Sequence, residues 1–415
     1  MEPEKARKES GCTMTSAEDT MTNTMDYRTK SIAHEVKNVS VENAWPIAMD
    51  IGYSSVKCFS PIMICAFPFY AKNLGKNPQL FGEQEPYEIL YRDGETGEVW
   101  RVGRSAQQMV NSKDTNDSQL ELFARDRYDS PIFQIAARVG MAMCMLKNQA
   151  GEYNGRSIML QTGLPPAYLT EDSPRIVSAL AGHHKFSMKL WNNRNYVSFD
   201  FTVYEKNIHI MSQPMGTLRS ISTDDNAKAL MNAKKYYTSN ILIFDAGFGT
   251  LDLYDIVNRK ANSKETFAQF GMRAILEETG KRIQERSGVA IRSAAMQNAL
   301  ERGAFTITER KGVKISTKTE GFADLLEAAT KEICEQAVEK VINMYNALDE
   351  YDYLILTGGT SAVWEPYIRE YFQAIERLTV VMGNENCPDL DIIFCNVRGY
   401  YMYLIEWLRR KSIQK

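Results

Sequence analysis

Short apolar runs, separated by turns rich in glycine and polar residues, mark the strands predicted along this chain. In the first half the predicted strands cover residues 47–51, 56–60, 64–70, 98–103, 157–162, 197–204 and 208–211. In the second half they cover residues 240–244, 251–257 and 353–356. Residues 72–98 hold many glycine, proline, asparagine and glutamate residues, which predicts a small, loop-rich insertion.

Longer stretches with apolar residues three and four positions apart predict helices that pack one face on a core. They cover residues 131–147, about 272–287, 292–302, about 321–347 and 397–410, with a further helix from about Ala362. Strands that alternate with helices in this way predict an α/β fold with a mainly parallel sheet in each half.

The composition is that of an ordinary globular protein and excludes several functional classes. The 415 residues are 44% hydrophobic and 24% charged with a net charge of −3, so no excess of positive charge would coat nucleic acid or acidic lipid. Seven scattered cysteines without a C-x-x-C pair argue against a disulfide framework and a zinc site, and indicate the reducing cytoplasm. No apolar run approaches the ~20 residues that a membrane-spanning helix needs.

Residues 1–44 are expected to form a flexible tail. The first 40 residues are rich in Ser, Thr, Lys, Glu and Asn, and Tyr27 is their one aromatic residue. Such a segment buries too little apolar surface to fold alone. A short partner-binding motif is the alternative interpretation.

One strand–turn–strand pattern occurs twice in the chain. It reads D-I-G-Y-S-S-V-K at 50–57 and D-A-G-F-G-T-L-D at 245–252. Both copies follow an apolar strand and share the order Asp, any residue, Gly, aromatic, small, hydroxyl, apolar, charged. Either copy alone would be interpreted as an ordinary tight turn, but the pair predicts a duplicated domain with a two-fold relation.

The residue types in these hairpins suit a phosphate site. Glycine and hydroxyl residues in a turn let backbone N–H groups and side-chain oxygens approach phosphate closely. An aspartate at each strand end, Asp50 and Asp245, can hold a hydrated Mg²⁺, which prefers one or two carboxylates together with water and phosphate oxygens. Lys57 adds a positive charge for the β- and γ-phosphates. Two facing hairpins would then hold a triphosphate from both sides.

A third element follows in the second half, where the strand at 353–356 runs into Thr357-Gly358-Gly359-Thr360. A strand that opens through two glycines into a helix lets adenine and ribose lie against bare backbone. The sequence has neither a G-x-x-x-x-G-K-[ST] loop nor a G-x-G-x-x-G motif, so two common rival nucleotide sites are missing.

In this order and spacing, the three motifs resemble the phosphate-1, phosphate-2 and adenosine motifs of the superfamily of actin, the Hsp70 chaperones and sugar kinases. Within it the chain is most similar to the plasmid-partitioning actin-like ATPases (ParM-like), with archaeal actin-like proteins close behind. The details are D-I-G-Y-S-S-V-K, T-G-L-P-P at 162–166 and N-V-R-G-Y-Y-M-Y-L at 396–404.

The resemblance implies a two-domain, actin-like fold, duplicated and ribonuclease-H-like, with nucleotide in the interdomain cleft. Domain I would cover 45–213 with a small subdomain at about 72–125. Domain II would cover 214–396 with a small subdomain at about 265–345. Residues 397–415 would form a C-terminal helix that returns to domain I.

The resemblance also implies roles for particular residues. Asp50 and Asp245 would be catalytic and would bind Mg²⁺ through water, and Gln213 would orient the attacking water. Tyr53 stands where actin has a phosphate-contacting serine, so backbone or a neighbouring hydroxyl would replace that contact. The implied nucleotide-binding residues are Gly52, Tyr53, Ser54, Ser55, Lys57, Gly247, Phe248, Gly249, Thr250, Gly358, Gly359 and Thr360.

The function implied is a cytoplasmic, Mg²⁺-dependent ATPase, with GTP as the alternative nucleotide, that assembles head to tail into filaments. Hydrolysis would disassemble the filament, and a DNA-binding adaptor on a plasmid centromere would connect it to its cargo without direct nucleic-acid binding. A sugar- or acid-kinase is the main alternative, with Asp252 as its candidate base. A membrane-associated cytoskeletal protein, anchored through the basic end of the C-terminal helix, is a further alternative. An Hsp70-type chaperone would need a substrate-binding domain for which no residues are left.

Overall fold

The computed structural model describes residues 22–110 and 127–413. The strands in these two ranges are β1 Ile32–Glu35, β2 Trp45–Ile51, β3 Ser55–Phe59, β4 Met63–Pro68, β5 Ala71–Gly75, β6 Ile89–Asp93, β7 Val99–Val102, β8 Ile158–Leu164, β9 Gly182–Leu190, β10 Val197–Val203, β11 Ile208–Ser212, β12 Ile241–Ala246, β13 Leu251–Val257, β14 Lys260–Phe267, β15 Ala304–Lys311, β16 Lys314–Gly321, β17 Tyr353–Thr357 and β18 Thr379–Met382.

The helices in the same two ranges are α1 Arg104–Gln108, α2 Pro131–Met143, α3 Leu169–Leu180, α4 Gln213–Ser222, α5 Lys234–Thr238, α6 Met272–Ser287, α7 Ser293–Arg302, α8 Ala323–Met344, α9 Gly359–Phe372 and α10 Cys395–Ile413. None of the helices in the described part of the chain is long and apolar enough to span a bilayer.

The first half is organised around a six-stranded sheet in the order β1-β4-β3-β2-β8-β11. Strand β2 is buried throughout, and its successive side chains face opposite sides of the sheet. Met49 packs into a core with Phe133 of α2, whereas its neighbour Ala48 packs into a separate core with Tyr401 of α10. The sheet is therefore covered on both faces, as its nearly continuous apolar strands predict. It is mixed rather than mainly parallel as predicted, because only β2, β8 and β11 are parallel and the other three strands join antiparallel.

A second, five-stranded sheet in the order β10-β9-β6-β7-β5 belongs to the same half. Its strands come from two separate parts of the chain, 71–102 and 182–203. The small subdomain predicted at about 72–125 is therefore discontinuous, because β9 pairs with β6 and brings the later strands into the sheet. Residues 111–126 of the predicted range lie outside the described residues.

The second half contains a five-stranded sheet in the order β14-β13-β12-β17-β18. Strands β12, β17 and β18 are parallel to one another, while β13 and β14 join antiparallel. Phe244 and Leu356 pack on the side that holds α6, α8 and α9, and Ile243 and Ile355 pack on the side that holds α4. Strands β15 and β16 form a separate, largely exposed hairpin.

Two helices, α4 and α10, cross where the halves meet. A side chain at Gly399 would place its Cβ 1.7 Å from the carbonyl oxygen of Gly216, and one at Gly216 would lie 2.6 Å from the carbonyl oxygen of Asn396. Glycine at both positions therefore lets the two backbones touch. Leu404 and Ile405 of α10 are also buried, so these apolar side chains pack in the core and are not available to the membrane anchor considered for this helix.

Residues 22–44 correct the prediction of a flexible tail over 1–44. Tyr27 is buried in the core of the second half, and β1 pairs with β4 of the first. The Tyr401 hydroxyl donates to the Val39 carbonyl at 2.6 Å. This segment has no core of its own and gains order by packing on surfaces that the rest of the chain builds, which its composition does not reveal. Residues 1–21 lie outside the described residues.

Candidate functional site

A cavity of about 600 Å³ lies between the two halves. It is lined by every residue that the sequence analysis assigned to the site. These residues are Asp50, Gly52, Tyr53, Ser54, Ser55, Lys57, Gln213, Asp245, Gly247, Phe248, Gly249, Thr250, Gly358, Gly359 and Thr360.

The first hairpin, β2–β3, carries an ion pair at its cavity end. Asp50 and Lys57 are directly opposite in the antiparallel register, and Nζ of Lys57 lies 2.8 Å from Oδ2 of Asp50. The other oxygen, Oδ1, accepts a hydrogen bond from the Gln213 amide at 3.2 Å. Gln213 is the first residue of α4 rather than part of a loop. Its position thus depends on the helix that connects the halves.

Arg127 holds the turn of this hairpin from behind. Its guanidinium donates to the carbonyl oxygens of Ile51 at 2.8 Å and Gly52 at 3.0 Å, and lies 4.4 Å from the centre of the Tyr53 ring. These contacts fix the backbone of the turn, and Arg127 itself lines the cavity. Sequence reasoning missed Arg127, since a single arginine far from the motif has no pattern.

The second hairpin, β12–β13, repeats the register with different chemistry. Asp245 and Asp252 are directly opposite, at the positions that Asp50 and Lys57 occupy in the first copy. Asp252 accepts hydrogen bonds from the hydroxyls of Thr266 and Thr250. Asp245 accepts one from the Asn396 side-chain amide at 2.7 Å.

Burial perturbs both carboxyl groups of the second hairpin. Burial, and then the nearby Asp50 charge, raises the pKa of Asp245 to about 6, although the Asn396 hydrogen bond and Lys57 oppose the shift. Burial, followed by the charge of Asp245, raises the pKa of Asp252 to about 7. Three carboxylates thus face one region of the cavity, and a divalent cation there would relieve their repulsion.

The two hairpins touch across the cavity. A Cβ on Gly249 would lie 2.8 Å from Cδ2 of Tyr53, so the aromatic ring of the first hairpin rests on the bare backbone of the second. This contact explains an aromatic residue where the family resemblance expects a small one. Tyr53 closes the space between the turns, and glycine opposite it is required for that approach.

The third element, Thr357–Thr360, joins the second hairpin through its backbone. Gly358 has φ 87°, and a Cβ there would lie 2.3 Å from the Ala246 carbonyl oxygen and 2.7 Å from Oδ1 of Asp245. The Thr360 hydroxyl donates to the Gly247 carbonyl at 2.6 Å. Only glycine at 358 combines this positive φ with this close approach.

This arrangement fits a magnesium nucleoside triphosphate. Gly52, Gly247 and Gly249 expose backbone in the two turns, Lys57 supplies a positive charge, and the acidic groups supply the oxygen ligands that Mg²⁺ prefers. Bound there, the metal would draw negative charge from the phosphates. Gln213 would orient a water, and Asn396 would hold the Asp245 carboxylate in place.

Besides Arg127, the cavity contains residues that the sequence analysis did not assign to it. Asn396 opens the N-V-R-G-Y-Y-M-Y-L segment, so its neighbourhood was noticed but not its side chain. Asp252 was considered only as a kinase base, although the repeat places it opposite Asp245. Residues 22–30 also contribute to the cavity lining, although no pattern in the sequence indicated it.

A second group of potential ligands lies in the core of the first half. Cys58, Cys65 and Cys144 are fully buried, and their sulfur atoms lie within 4.8 Å of one another. The scattered cysteines therefore do come together, contrary to what their sequence spacing indicates. Burial raises the pKa of the Cys58 thiol well above its ordinary value, and hydrogen bonding to Cys144 raises the pKa of Cys65, so two of the three thiols disfavour the thiolate that a metal needs. We interpret the group as core packing.

Comparison with known proteins agrees with this architecture. Residues 48–216 match the family model of the N-terminal domain of actin-like proteins. Solved structures of actin-like proteins match most of the chain, so the actin-like fold predicted from the motifs is confirmed. No curated protein sequence matches the chain.

Three solved structures illustrate the likeness. A non-polymerisable quadruple mutant of the pCBH ParM has 18% identity and a TM-score of 0.64, covering 87% of this chain and 99% of its own. A ParM in a 15-stranded filament from Clostridium botulinum has 17% identity, a TM-score of 0.64 and the same coverages, 87% and 99%. An archaeal actin homologue, Ta0583, in complex with ADP has 12% identity and a TM-score of 0.57, again covering 87% and 99%.

Proposed function

We propose that this protein is an actin-like ATPase that binds Mg-ATP between its two hairpins and assembles head to tail into filaments. The observation that carries the proposal is the pair of hairpins with the same strand register, which face one cavity of about 600 Å³ between the halves. The solved ADP complex of an archaeal actin homologue and the ParM filament support it, because both proteins share this fold.

Closure of the cleft on ATP would link the nucleotide to assembly. The halves meet through Tyr53 on Gly249 and through the close crossing of α4 and α10. A bound triphosphate would add contacts to both hairpins and so favour the closed form. Hydrolysis would remove some of those contacts and weaken the filament.

For the cargo, we propose plasmid DNA held by a DNA-binding adaptor. The net charge of −3 gives the protein no general attraction for DNA, so a separate protein would supply the contact. GTP remains the alternative nucleotide.

The kinase alternative has less support from the geometry. Asp252, its candidate general base, has both carboxylate oxygens engaged by the hydroxyls of Thr250 and Thr266, and 2% of its surface is exposed. A general base needs a free oxygen within reach of the substrate proton.

Right-angle light scattering of the purified protein after addition of Mg-ATP tests the proposal, with Asp245→Ala as the matched variant. We expect a rise above a critical concentration that the variant lacks. A flat trace from a protein that binds ATP would contradict filament assembly, and a phosphorylated small-molecule product would then favour the kinase.

A further inference from the structure

Residues 22–30, here called the strap, run along the cavity between the halves. Seven of the residues that line the cavity belong to the strap: Thr22, Asn23, Asp26, Tyr27, Arg28, Thr29 and Lys30. This contribution comes from outside the three motifs and from outside residues 48–216, which match the actin-like family model. The strap is therefore a part of the cavity wall that the three motifs do not account for.

The strap is anchored firmly in the second half. The Thr24 hydroxyl donates to the Leu300 carbonyl at 2.7 Å, and the Thr29 N–H donates to the side-chain oxygen of Gln297 at 3.0 Å. The Tyr27 ring is buried and its hydroxyl accepts a hydrogen bond from Thr330. These contacts hold the segment against α7 and α8, so its cavity-facing groups have fixed positions.

Ion pairs connect the strap to the first half as well. Arg28 lies 2.9 Å from the carboxylate of Glu301 on α7, and Arg104 of α1 pairs with the other oxygen of the same carboxylate. A few residues later, β1 joins the sheet of the first half. The strap consequently crosses from one half to the other beside the cavity.

The chemistry of this wall suits a nucleoside rather than a phosphate. The turn at Thr24–Tyr27 packs against α9, the helix that starts at Gly359 in the predicted adenosine element. The cavity lining there combines apolar groups, including Val363 and Ile393, with the carboxylate of Asp26 and the ammonium of Lys30, which lies 2.5 Å from the Asp391 carboxylate. Both cations of the strap are already paired with carboxylates, Arg28 with Glu301 and Lys30 with Asp391, and the Asp26 carboxylate would repel phosphate. Apolar surface combined with placed donors and acceptors is typical of base and ribose recognition.

We propose that the strap forms the nucleoside subsite of the pocket, with Asp26 and Lys30 as residues that recognise the base and ribose. This inference rests on the proposed function, because it assigns the second end of the nucleotide that the hairpins would hold. The hairpins then bind phosphate in the manner common to the fold, and the strap adds affinity for the nucleoside.

The test compares ATP with inorganic tripolyphosphate by isothermal titration calorimetry in the presence of Mg²⁺. We expect the double variant Asp26→Ala/Lys30→Ala to bind ATP about tenfold more weakly or worse, as loss of charged hydrogen bonds implies, while tripolyphosphate affinity changes by less than about twofold. Lys57→Met should weaken both ligands. Met25→Ala, in the same turn but 45% exposed and outside the cavity lining, should change neither.

Three results are decisive. Unchanged ATP affinity in the double variant would overturn the proposal, and so would an equal loss for both ligands. If the wild-type protein binds neither ATP nor GTP, the proposed function fails, and this inference fails with it. If the wild-type protein binds ATP and only the double variant behaves contrary to expectation, the inference alone fails. Hydrogen exchange gives an independent readout: the amides of residues 24–30 should gain protection with ATP and not with tripolyphosphate.

Discussion

The two hairpins share a backbone but differ in charge at one equivalent position. In the first, Asp50 faces Lys57 and the pair is neutral, with 2.8 Å between the charged atoms. In the second, Asp245 faces Asp252, and burial raises the pKa of both carboxyl groups, helped by the charge of Asp50 at Asp245 and by the charge of Asp245 at Asp252. The same register thus produces a cation-bearing hairpin and an acidic one.

This difference shows how a duplicated scaffold can serve two ends of one reaction. A positive charge suits the phosphates, whereas a pair of acids suits the metal and its water. The acidic hairpin is costly without a cation, because like charges in a buried site disfavour ionisation. We therefore expect the stability of the nucleotide-free protein to fall when the charge pair of the first hairpin is broken and to rise when a charge is removed from the second.

The largest effect is expected from Asp245→Asn. Removing this charge should lower the rate of ATP hydrolysis by roughly 10²–10³-fold, since charge placed for the transition state is lost. Phosphate release under saturating Mg-ATP measures it. Asp255→Asn, a buried change on β13 at a residue whose carboxylate accepts from Tyr351, lies outside the cavity lining and should leave the rate per folded molecule unchanged. Equal losses in both variants would count against a role in catalysis.

The second-largest effect is expected from breaking the ion pair of the first hairpin. Lys57→Met leaves the buried Asp50 carboxylate without its cation and should lower the free energy of unfolding by about 3 kcal/mol. Urea denaturation measures the change. Lys147→Met removes a pair whose side chains are 74% and 45% exposed, so it should cost less than about 1 kcal/mol. Similar losses of unfolding free energy in the two variants would show that burial of the ion pair does not cause the larger effect expected at Lys57.

In the acidic hairpin, removing a charge should raise the free energy of unfolding instead of lowering it. Because the pKa of Asp252 is raised to about 7 from an unfolded value of about 3.9, its favourable contribution is fully present below about pH 4 and is lost as the pH rises through 7. Asp252→Asn should therefore stabilise the nucleotide-free protein at pH 8 and have little effect at pH 4. Thermal denaturation at the two pH values, without Mg²⁺, measures this. A loss of stability at pH 8 would contradict the assigned cause.

The smallest effect concerns the contact between the hairpins. Gly249→Ala would bring a methyl group to 2.8 Å from the Tyr53 ring and should open the cleft slightly, weakening Mg-ATP binding several-fold. Calorimetric titration measures the affinity. Combining it with Tyr53→Ala removes the clash, so the double variant should bind more tightly than Gly249→Ala alone. If the effects of the two substitutions on Mg-ATP affinity are additive, the Tyr53 ring and the Gly249 backbone do not interact as described.

The sequence by itself determined the repeat, the fold class and many of the residues that line the cavity between the halves. These follow from local rules: apolar runs make the strands, and glycine and hydroxyl residues make turns that approach phosphate. Both hairpins and Gly358 are therefore recognisable as patterns along the chain. Several elements were not predicted, among them α3 with Pro174 inside it and β9, because tertiary packing overrides weak local preference.

Only the tertiary structure decided which distant side chains complete the site. Arg127, Asn396 and the strap lie far from the motifs in sequence and reach them through the fold. The raised pKa of Asp252 likewise depends on burial and on neighbours that no spacing rule supplies. The physical reason is the same in each case: burial, charge and contact between separate segments are properties of the packed chain, whereas periodicity records only neighbours along it.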